Sequence, residues 1–267
     1  MQKVQELLSA LGMVAGMTAS AVLTGIAPAQ AFSFLTTVEG DISKPKEDFF
    51  LKSVVLDTGE IVDQFSFVSV ATIVENDQYT GDNTGAASAD KGDHATTGVN
   101  SEDPTLTDLV LNLGNNNLNN IVDTEDTGNF QIDLSFDSAL DNLLVFERGM
   151  NSNLSVQALN ESGELIGQRI DIKRNQWSFT GFSIDTLEIG GSQKVGSLGI
   201  NVAQDFQISN AVSRVRFFSE ESFNGPDWKL VGTDANRKSV PEPSALLGLG
   251  LIAGVLFAKR KAAHQQF

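Results

Sequence analysis

Cysteine is absent from this chain of 267 residues, and several other residue types are scarce. Without cysteine there can be no disulfide, no thiolate metal ligand and no cysteine nucleophile. The chain has only two Trp and one Tyr, so few large polar aromatics are available to stack on a ligand. Lys and Arg together number 18 against 34 Asp and Glu, a net charge of −16. A surface this acidic repels a phosphate backbone, so we expect no nucleic-acid partner.

Histidine is scarce as well, and this limits catalysis. His264 belongs to the extreme C-terminus, which leaves His94, in "DKGDHATTG", as the histidine of the main body. Ser-His-Asp catalysis also needs a positioned serine, and no Gly-x-Ser-x-Gly elbow is present. Glu147 and Arg148 are adjacent in a strand pattern and therefore point to opposite faces, so they cannot line one pocket together. We predict no catalytic residue and expect that the protein is not an enzyme.

The N-terminus has the layout of a secretory signal peptide. Lys3 supplies a positive start, apolar and small residues follow from Leu7 to Ala27, and the triplet Ala29-Gln30-Ala31 suits a signal peptidase. We therefore expect residues 1–31 to form a signal helix that is removed by cleavage after Ala31.

The C-terminus combines three unlike features in a fixed order. Pro241, Glu242 and Pro243 come first, then Ser244–Ala258 without a charge, then Lys259, Arg260 and Lys261. As a helix the uncharged run spans roughly 22 Å at 1.5 Å per residue. A bilayer core is about 30 Å thick, so the run predicts a short transmembrane helix with its basic end in the cytoplasm.

This C-terminal arrangement resembles the PEP-CTERM sorting signal of exosortase-dependent bacterial surface proteins. The resemblance implies recognition of residues 240–267 by an exosortase-type membrane protease, and then display on the cell surface or release outside. A weaker resemblance, to ectodomains of cyanobacterial-type members, rests on "VFERGMNSNLSVQALNESGELIG" and "FNGPDWKLV". It supports an extracellular β-domain and implies no activity.

The predicted ectodomain covers residues 32–239, and from about Phe49 to Asp234 its pattern has the period of β-structure. In "NFQIDLSF" (129–136) apolar residues alternate strictly with polar ones, and "QFSFVSVATIV" (64–74) shows a similar pattern. The other predicted strands are "TLTDLVLNL", "NLLVFERG", "NLSVQAL", "LIGQRIDI", "FSIDTLEIG", "SLGINV", "SRVRFFS" and "DWKLVGTD". "NESGE" predicts a short hairpin loop. Half-buried strands favour antiparallel sheets, so the fold class is all-β, an antiparallel β-sandwich of jelly-roll type.

Two polar stretches interrupt this pattern. Residues 75–104 form an acidic segment almost free of large apolar groups, too polar to bury, which we interpret as a functional excursion or as disorder. The Asn-rich stretch 114–129 ends in Asp123, Glu125 and Asp126. Calcium prefers carboxylate, amide and carbonyl oxygens, so these three residues are the candidate calcium ligands, although their spacing is not that of an EF-hand. Asp77, Asp82 and Asn83 form a second, weaker set.

Carbohydrate binding is the remaining class. Trp228 alternates with Leu230 and is expected in the core, whereas Trp177, in "RNQWSFTGF", is the candidate for an exposed ring that stacks on a sugar. The composition and the two ends favour an exported surface or extracellular-matrix protein with a structural or adhesive role. The alternative is a carbohydrate-binding module, calcium-dependent or not, that contacts extracellular polysaccharide.

Overall fold

The fold is all-β. A computed structural model describes residues 31–81 and 87–236, in which strands far outweigh helices, at 52% and 7%. Within these two ranges no helix is both long and apolar enough to cross a membrane. The predicted signal segment, apart from Ala31, and the predicted sorting segment 240–267 lie outside the described residues.

Fourteen strands and two short helices make up the described chain. The strands are β1 (Leu35–Glu39), β2 (Phe50–Val55), β3 (Ile61–Val62), β4 (Phe65–Ser66), β5 (Val68–Asn76), β6 (Ala87–Lys91), β7 (Asn120–Thr124), β8 (Phe130–Arg148), β9 (Leu154–Leu159), β10 (Leu165–Ile172), β11 (Ser178–Ile184), β12 (Gln193–Asn201), β13 (Val212–Ser219) and β14 (Asp227–Asp234). The helices are α1 (Leu106–Leu113) and α2 (Val202–Asp205), and a single 3-10 turn covers Glu221–Phe223.

Strand β8 organises the sheet because it is 19 residues long and has different neighbours along its two halves. Its first half pairs antiparallel with β5 and β13, so that Ile132 faces both Ile73 and Phe217. Its second half pairs antiparallel with β12 and β14, where Val145 faces Leu198 and Leu230. The two predicted strands "NFQIDLSF" and "NLLVFERG" are therefore one continuous strand.

The other strands extend from these neighbours. On one side β13 pairs with β9, and β9 with β10. On the other side β12 pairs with β11, while β14 contacts both β7 and β4, and β7 pairs with β6. Strands β1, β2 and β3 form a separate antiparallel sheet. Every described pairing is antiparallel, as the half-buried strand patterns predicted.

Two apolar clusters lie on opposite faces of the second half of β8. Leu143 and Val145 belong to the larger cluster, whereas Leu144 and Phe146 belong to the smaller one, which also contains side chains of β2. Successive strand residues point to opposite faces, so this uninterrupted apolar run is buried on both sides. The run "LLVF" is therefore continuously apolar, whereas strands with one face in solvent alternate apolar and polar residues.

The hairpin between β9 and β10 follows its predicted turn. Leu159 pairs with Leu165, and the Asn160 amide donates to the Glu164 carbonyl at 2.9 Å. Gly163 has a φ of +83°, a conformation that favours glycine.

The prediction of a strand at "TLTDLVLNL" is wrong, because this segment is α1. Thr105 caps the helix by accepting a hydrogen bond from the Asp108 amide, and the Asp108 carboxylate accepts in return from the Thr105 amide. This reciprocal capping satisfies two backbone donors that a helix start leaves free. Leu109 and Leu113, four residues apart, are both fully buried, which is the spacing of a helix face.

The description of residues 75–104 as too polar to bury is also wrong. Strand β6 lies inside this segment, and Ala87 to Asp90 are all buried there. Small side chains let the strand pack closely, and the Asn76 side chain pairs with the backbone amide and carbonyl of Ala87. The Asn-rich stretch likewise contains β7, of which all five residues are buried. These two polar strands carry the acidic side chains described next.

Candidate functional site

A cluster of carboxyl groups lies where β6 and β7 meet the segment after β11. Asp90 belongs to β6 and Asp123 to β7, where Asp123 pairs with Ser88. Because Ser88 and Asp90 are two residues apart, Asp90 and Asp123 are diagonal neighbours on one face of the sheet. Glu188 joins them from the loop, where its carboxylate accepts a hydrogen bond from the Ser88 hydroxyl at 3.0 Å. The loop is held in place by the Leu187 amide, which donates to the Lys91 carbonyl at 2.9 Å.

Arg148 forms the base of this cluster and is itself buried, with 1% of its surface exposed. Its Nη1 atom lies 3.1 Å from Asp227 Oδ2 and 3.7 Å from Asp123 Oδ2. The register of β14 on β8 sets Asp227 directly opposite Arg148. The guanidinium also donates from Nη2 to the Ile189 carbonyl at 3.0 Å, which ties the loop after β11 to the sheet.

The cluster opens into a pocket of about 560 Å³. Three further acidic groups, Glu102, Glu125 and Asp126, line this pocket with Asn100 and Glu188. Three exposed side chains complete the lining: Tyr79, Leu187 and Ile189. We call the cluster and the opening together the carboxylate pocket.

Among the residues that the structure describes, two sets of three carboxylates lie close enough to share an ion. The inner triad is Asp90, Asp123 and Glu188, and the outer triad is Glu102, Glu125 and Glu188. Within each triad, one oxygen from each residue lies within 4.8 Å of the other two. Glu188 belongs to both triads and so connects the buried end of the pocket to its open end.

Burial and crowding raise the pKa of four carboxyl groups in and beside the two triads. Burial, together with the neighbouring Asp227, raises the pKa of Asp123 well above its usual range. Burial raises the pKa of Asp227 to about 7, although the charge of Arg148 opposes the shift. Burial and the charges of Asp123 and Glu102 raise the pKa of Glu188 to about 9. The pKa of Glu125 is raised mainly by burial as well.

This arrangement can hold either protons or cations. Arg148 supplies one positive charge, whereas Asp90, Asp123, Glu188 and Asp227 would bring four negative charges around it if all were ionised. Carboxylates at such short separations cannot all ionise without a compensating positive charge. Each triad therefore has the chemistry of a proton store or of an all-oxygen cation site.

The sequence-based ligand set is only partly brought together. Asp123 belongs to the inner triad, Glu125 to the outer triad, and Asp126 lines the opening. Sequence reasoning missed Asp90 and Glu188, which come from distant parts of the chain. For Asp90 a signal was available in the alanines that precede it, which mark a closely packed strand, whereas nothing local distinguishes Glu188.

Of the second candidate set, the structure describes Asp77 alone. Asp77 accepts hydrogen bonds from the Asn129 amide at 2.9 Å and from Asn129 Nδ2 at 2.7 Å, which joins the end of β5 to the start of β8. Asp82 and Asn83 lie outside the described residues.

The expectation of an exposed ring at Trp177 is wrong. The residue is only 6% exposed, belongs to the larger apolar cluster, and donates from Nε1 to the Ser152 carbonyl at 2.9 Å. A buried indole whose N–H is satisfied within the fold serves packing and is not available to stack on a sugar. His94 is exposed, with its ring 3.3 Å from Glu47.

Glu147 and Arg148 point to opposite faces of β8, as expected, but both are buried. Arg148 reaches the carboxylate pocket. Glu147 instead accepts a hydrogen bond from the Met150 amide at 2.5 Å, and burial raises its pKa to about 8.

Comparisons of this chain with protein-family models, with curated proteins and with solved structures returned no match.

Proposed function

We propose that this protein is an exported surface or extracellular-matrix component with a structural or adhesive role and no catalysis of its own. The N-terminal segment directs export, and an exosortase-type membrane protease recognises the C-terminal segment. The observation that carries this proposal is the order of Pro241-Glu242-Pro243, the uncharged run and Lys259-Arg260-Lys261. Before processing, the C-terminal segment holds the protein in the membrane, and afterwards the protein is on the cell surface or outside the cell.

The folded body is consistent with an independent extracellular domain. All described strands lie between Leu35 and Asp234, inside the predicted mature segment 32–239. We infer that the strands on the two halves of β8 pack as a jelly-roll-like β-sandwich, since one long strand that changes partners supplies both layers. Apolar clusters on both faces of β8 would stabilise such a domain without disulfides.

A carbohydrate-binding module remains the alternative, and the carboxylate pocket is the observation that favours it. Tyr79, Leu187 and Ile189 are exposed at its opening, 36%, 47% and 41% respectively, beside acidic and amide side chains. Sugars present both apolar C–H faces and hydroxyls, so such a mixed lining is suitable for them. We therefore assign the sugar site of this alternative to the carboxylate pocket and not to Trp177.

The sorting proposal is tested in a bacterium that carries an exosortase, with an exosortase-deletion strain beside it. We expect the mature protein outside the cytoplasm, with its N-terminus at Phe32 and its C-terminus cut near Pro241, as measured by intact mass. Double substitution of Pro241 and Pro243 by Ala should leave the C-terminus uncut, whereas the matched control Pro45→Ala should be processed normally. Full-length chain in the cytosol, or identical processing without the exosortase, would contradict the proposal.

The alternative is tested by a glycan array probed with the exported protein. A sugar-binding module predicts retention that is weakened by Tyr79→Ala and unchanged by Trp177→Phe. Absence of binding to any glycan, with or without chelator, favours the structural role.

A further inference from the structure

We infer that the inner triad of Asp90, Asp123 and Glu188 is a calcium site. The inference concerns the folded domain itself and does not depend on how the chain is exported or sorted. Three features of the pocket support it: a buried oxygen with no hydrogen-bond donor among the described residues, the close spacing of the donors, and the excess of acidic groups.

Asp123 provides the first feature. Its side chain is almost fully buried, yet Oδ2 accepts no hydrogen bond from any of the described residues. The nearest cation, Arg148 Nη1, is 3.7 Å away, which is beyond hydrogen-bonding distance. A buried carboxylate oxygen without a donor costs free energy unless a ligand satisfies it. This oxygen belongs to the residue that the inner triad places beside Asp90 and Glu188.

The spacing of the donors fits calcium. Two oxygens bound to one calcium at about 2.4 Å are at most about 4.8 Å apart, and magnesium, which usually keeps several of its waters, is less suited to a site built from protein carboxylates. The oxygens of the inner triad lie within 4.8 Å of one another. Three carboxylates can supply up to about six oxygens if all bind in bidentate fashion, and water completes the shell.

The chemistry of the donors also favours calcium. All the donors in the triad are carboxylate oxygens, the ligands of hard cations, and no cysteine exists in the chain to favour a softer metal. The groups that face the triad are Arg148 from β8, Asp227 from β14, and Glu102 and Glu125 from the flanking loops. Arg148 alone cannot balance these acids, so a divalent cation would relieve repulsion that is otherwise relieved by protons.

The position of the site gives the ion both an entry path and a structural effect. The outer triad extends the carboxylates from Glu188 toward the open end of the pocket, so an ion can enter through acidic oxygens throughout. Once bound, it would connect β6, β7 and the loop after β11 at one point. A ligand that binds only the folded form stabilises it by mass action, which matters in a chain without disulfides.

The test is calcium titration of the full chain, purified in mild detergent and freed of metal with a chelator that is then removed. We expect saturable calcium uptake by calorimetry and a rise in melting temperature with calcium that excess chelator reverses. Magnesium at the same concentration should give a smaller rise. Failure to take up calcium at millimolar concentration, or equal responses to the two ions, would overturn the inference.

Two variants separate binding from folding. Asp123→Asn should weaken calcium binding at least tenfold, and Glu188→Gln should do the same at a less buried position. The matched control Asp63→Asn changes an exposed aspartate outside the pocket and should bind like the parent chain. In calcium-free buffer Asp123→Asn should melt no lower than the parent, because it removes one of the crowded acids. A variant that melts lower but keeps its calcium response would show that Asp123 has a purely structural role and would refute the site.

Discussion

The buried carboxyl group of Glu147 allows a quantitative prediction about stability. Glu147 is fully buried in β8, and its Oε1 atom has no hydrogen-bond partner among the described residues. Burial raises its pKa from 4.5 to about 8, so the folded protein keeps this group neutral over a range in which the unfolded chain ionises it. Over that range the folded state binds more protons, so the free energy of unfolding falls as the pH rises from about 4.5 to about 8.

The size of the effect follows from the shift. Each pKa unit corresponds to about 1.4 kcal/mol, so the full penalty above pH 8 is about 5 kcal/mol as an upper bound. Glu147→Gln removes the ionisation but places an amide donor where Oε1 has no partner, at a cost of about 1–3 kcal/mol. The variant should therefore be less stable than the parent at pH 4.5, by about 1–3 kcal/mol. At pH 9 it should be more stable than the parent, by roughly 2–4 kcal/mol.

The assay is urea denaturation of both proteins in calcium-free buffer at intervals from pH 4.5 to 9. All other titrating groups are shared, so the difference between the two stability curves isolates Glu147. A matched control, Glu161→Gln, changes an exposed glutamate of the β9–β10 hairpin loop and should give a flat difference. Parallel curves for Glu147→Gln and the parent would refute the reasoning, because they would mean that Glu147 ionises equally in both states.

Three further substitutions test the packing of the body. Thr105→Ala should lower the free energy of unfolding by about 1 kcal/mol in urea denaturation because α1 loses its cap. Thr105→Ser should retain most of that stability. Burial lowers the pKa of Lys229 well below 10.5, so the folded state binds this proton less tightly than the unfolded chain and loses stability as the pH falls below 10.5. The melting temperature of Lys229→Met relative to that of the parent should therefore rise as the pH is lowered from 9 to 6. A difference in melting temperature that stays constant with pH would contradict this. Trp228 is fully buried and stacks on Phe217 at 4.6 Å, so Trp228→Ala should cost about 3–5 kcal/mol in urea denaturation and Trp228→Phe clearly less.

The strands that sequence patterns revealed are those whose burial follows the simple rule for apolar residues. The alternation in the first half of β8 and in β13 is visible because one face meets the core and the other is polar. The bounds of β14 match the predicted segment "DWKLVGTD". Even the turn after β9 was predictable, because Asn and Gly have local conformational preferences that need no distant partner.

The strands that were missed break this rule for a physical reason. In β6 and β7 the buried side chains include Asp90, Asn120 and Asp123, which are polar and would normally mark a loop. Asn120 is satisfied by polar partners, since its Nδ2 donates to Thr97 Oγ1 at 2.9 Å. Helix α1 was mistaken for a strand because eight residues are too few to distinguish the two periodicities without the capping signal at Thr105.

The sequence by itself determined the all-β class of the body and pointed to the acids that follow the Asn-rich stretch, because alternation and composition are local properties. It also carries the expectation of export and sorting, which depends on the order of features at the two ends. Only the tertiary structure decided that Asp90, Asp123 and Glu188 meet, since Glu188 approaches Ser88 from 100 residues away along the chain. A cation site depends on oxygens brought within a few ångströms of one another, and that proximity arises from sheet register and loop position, which no local pattern encodes.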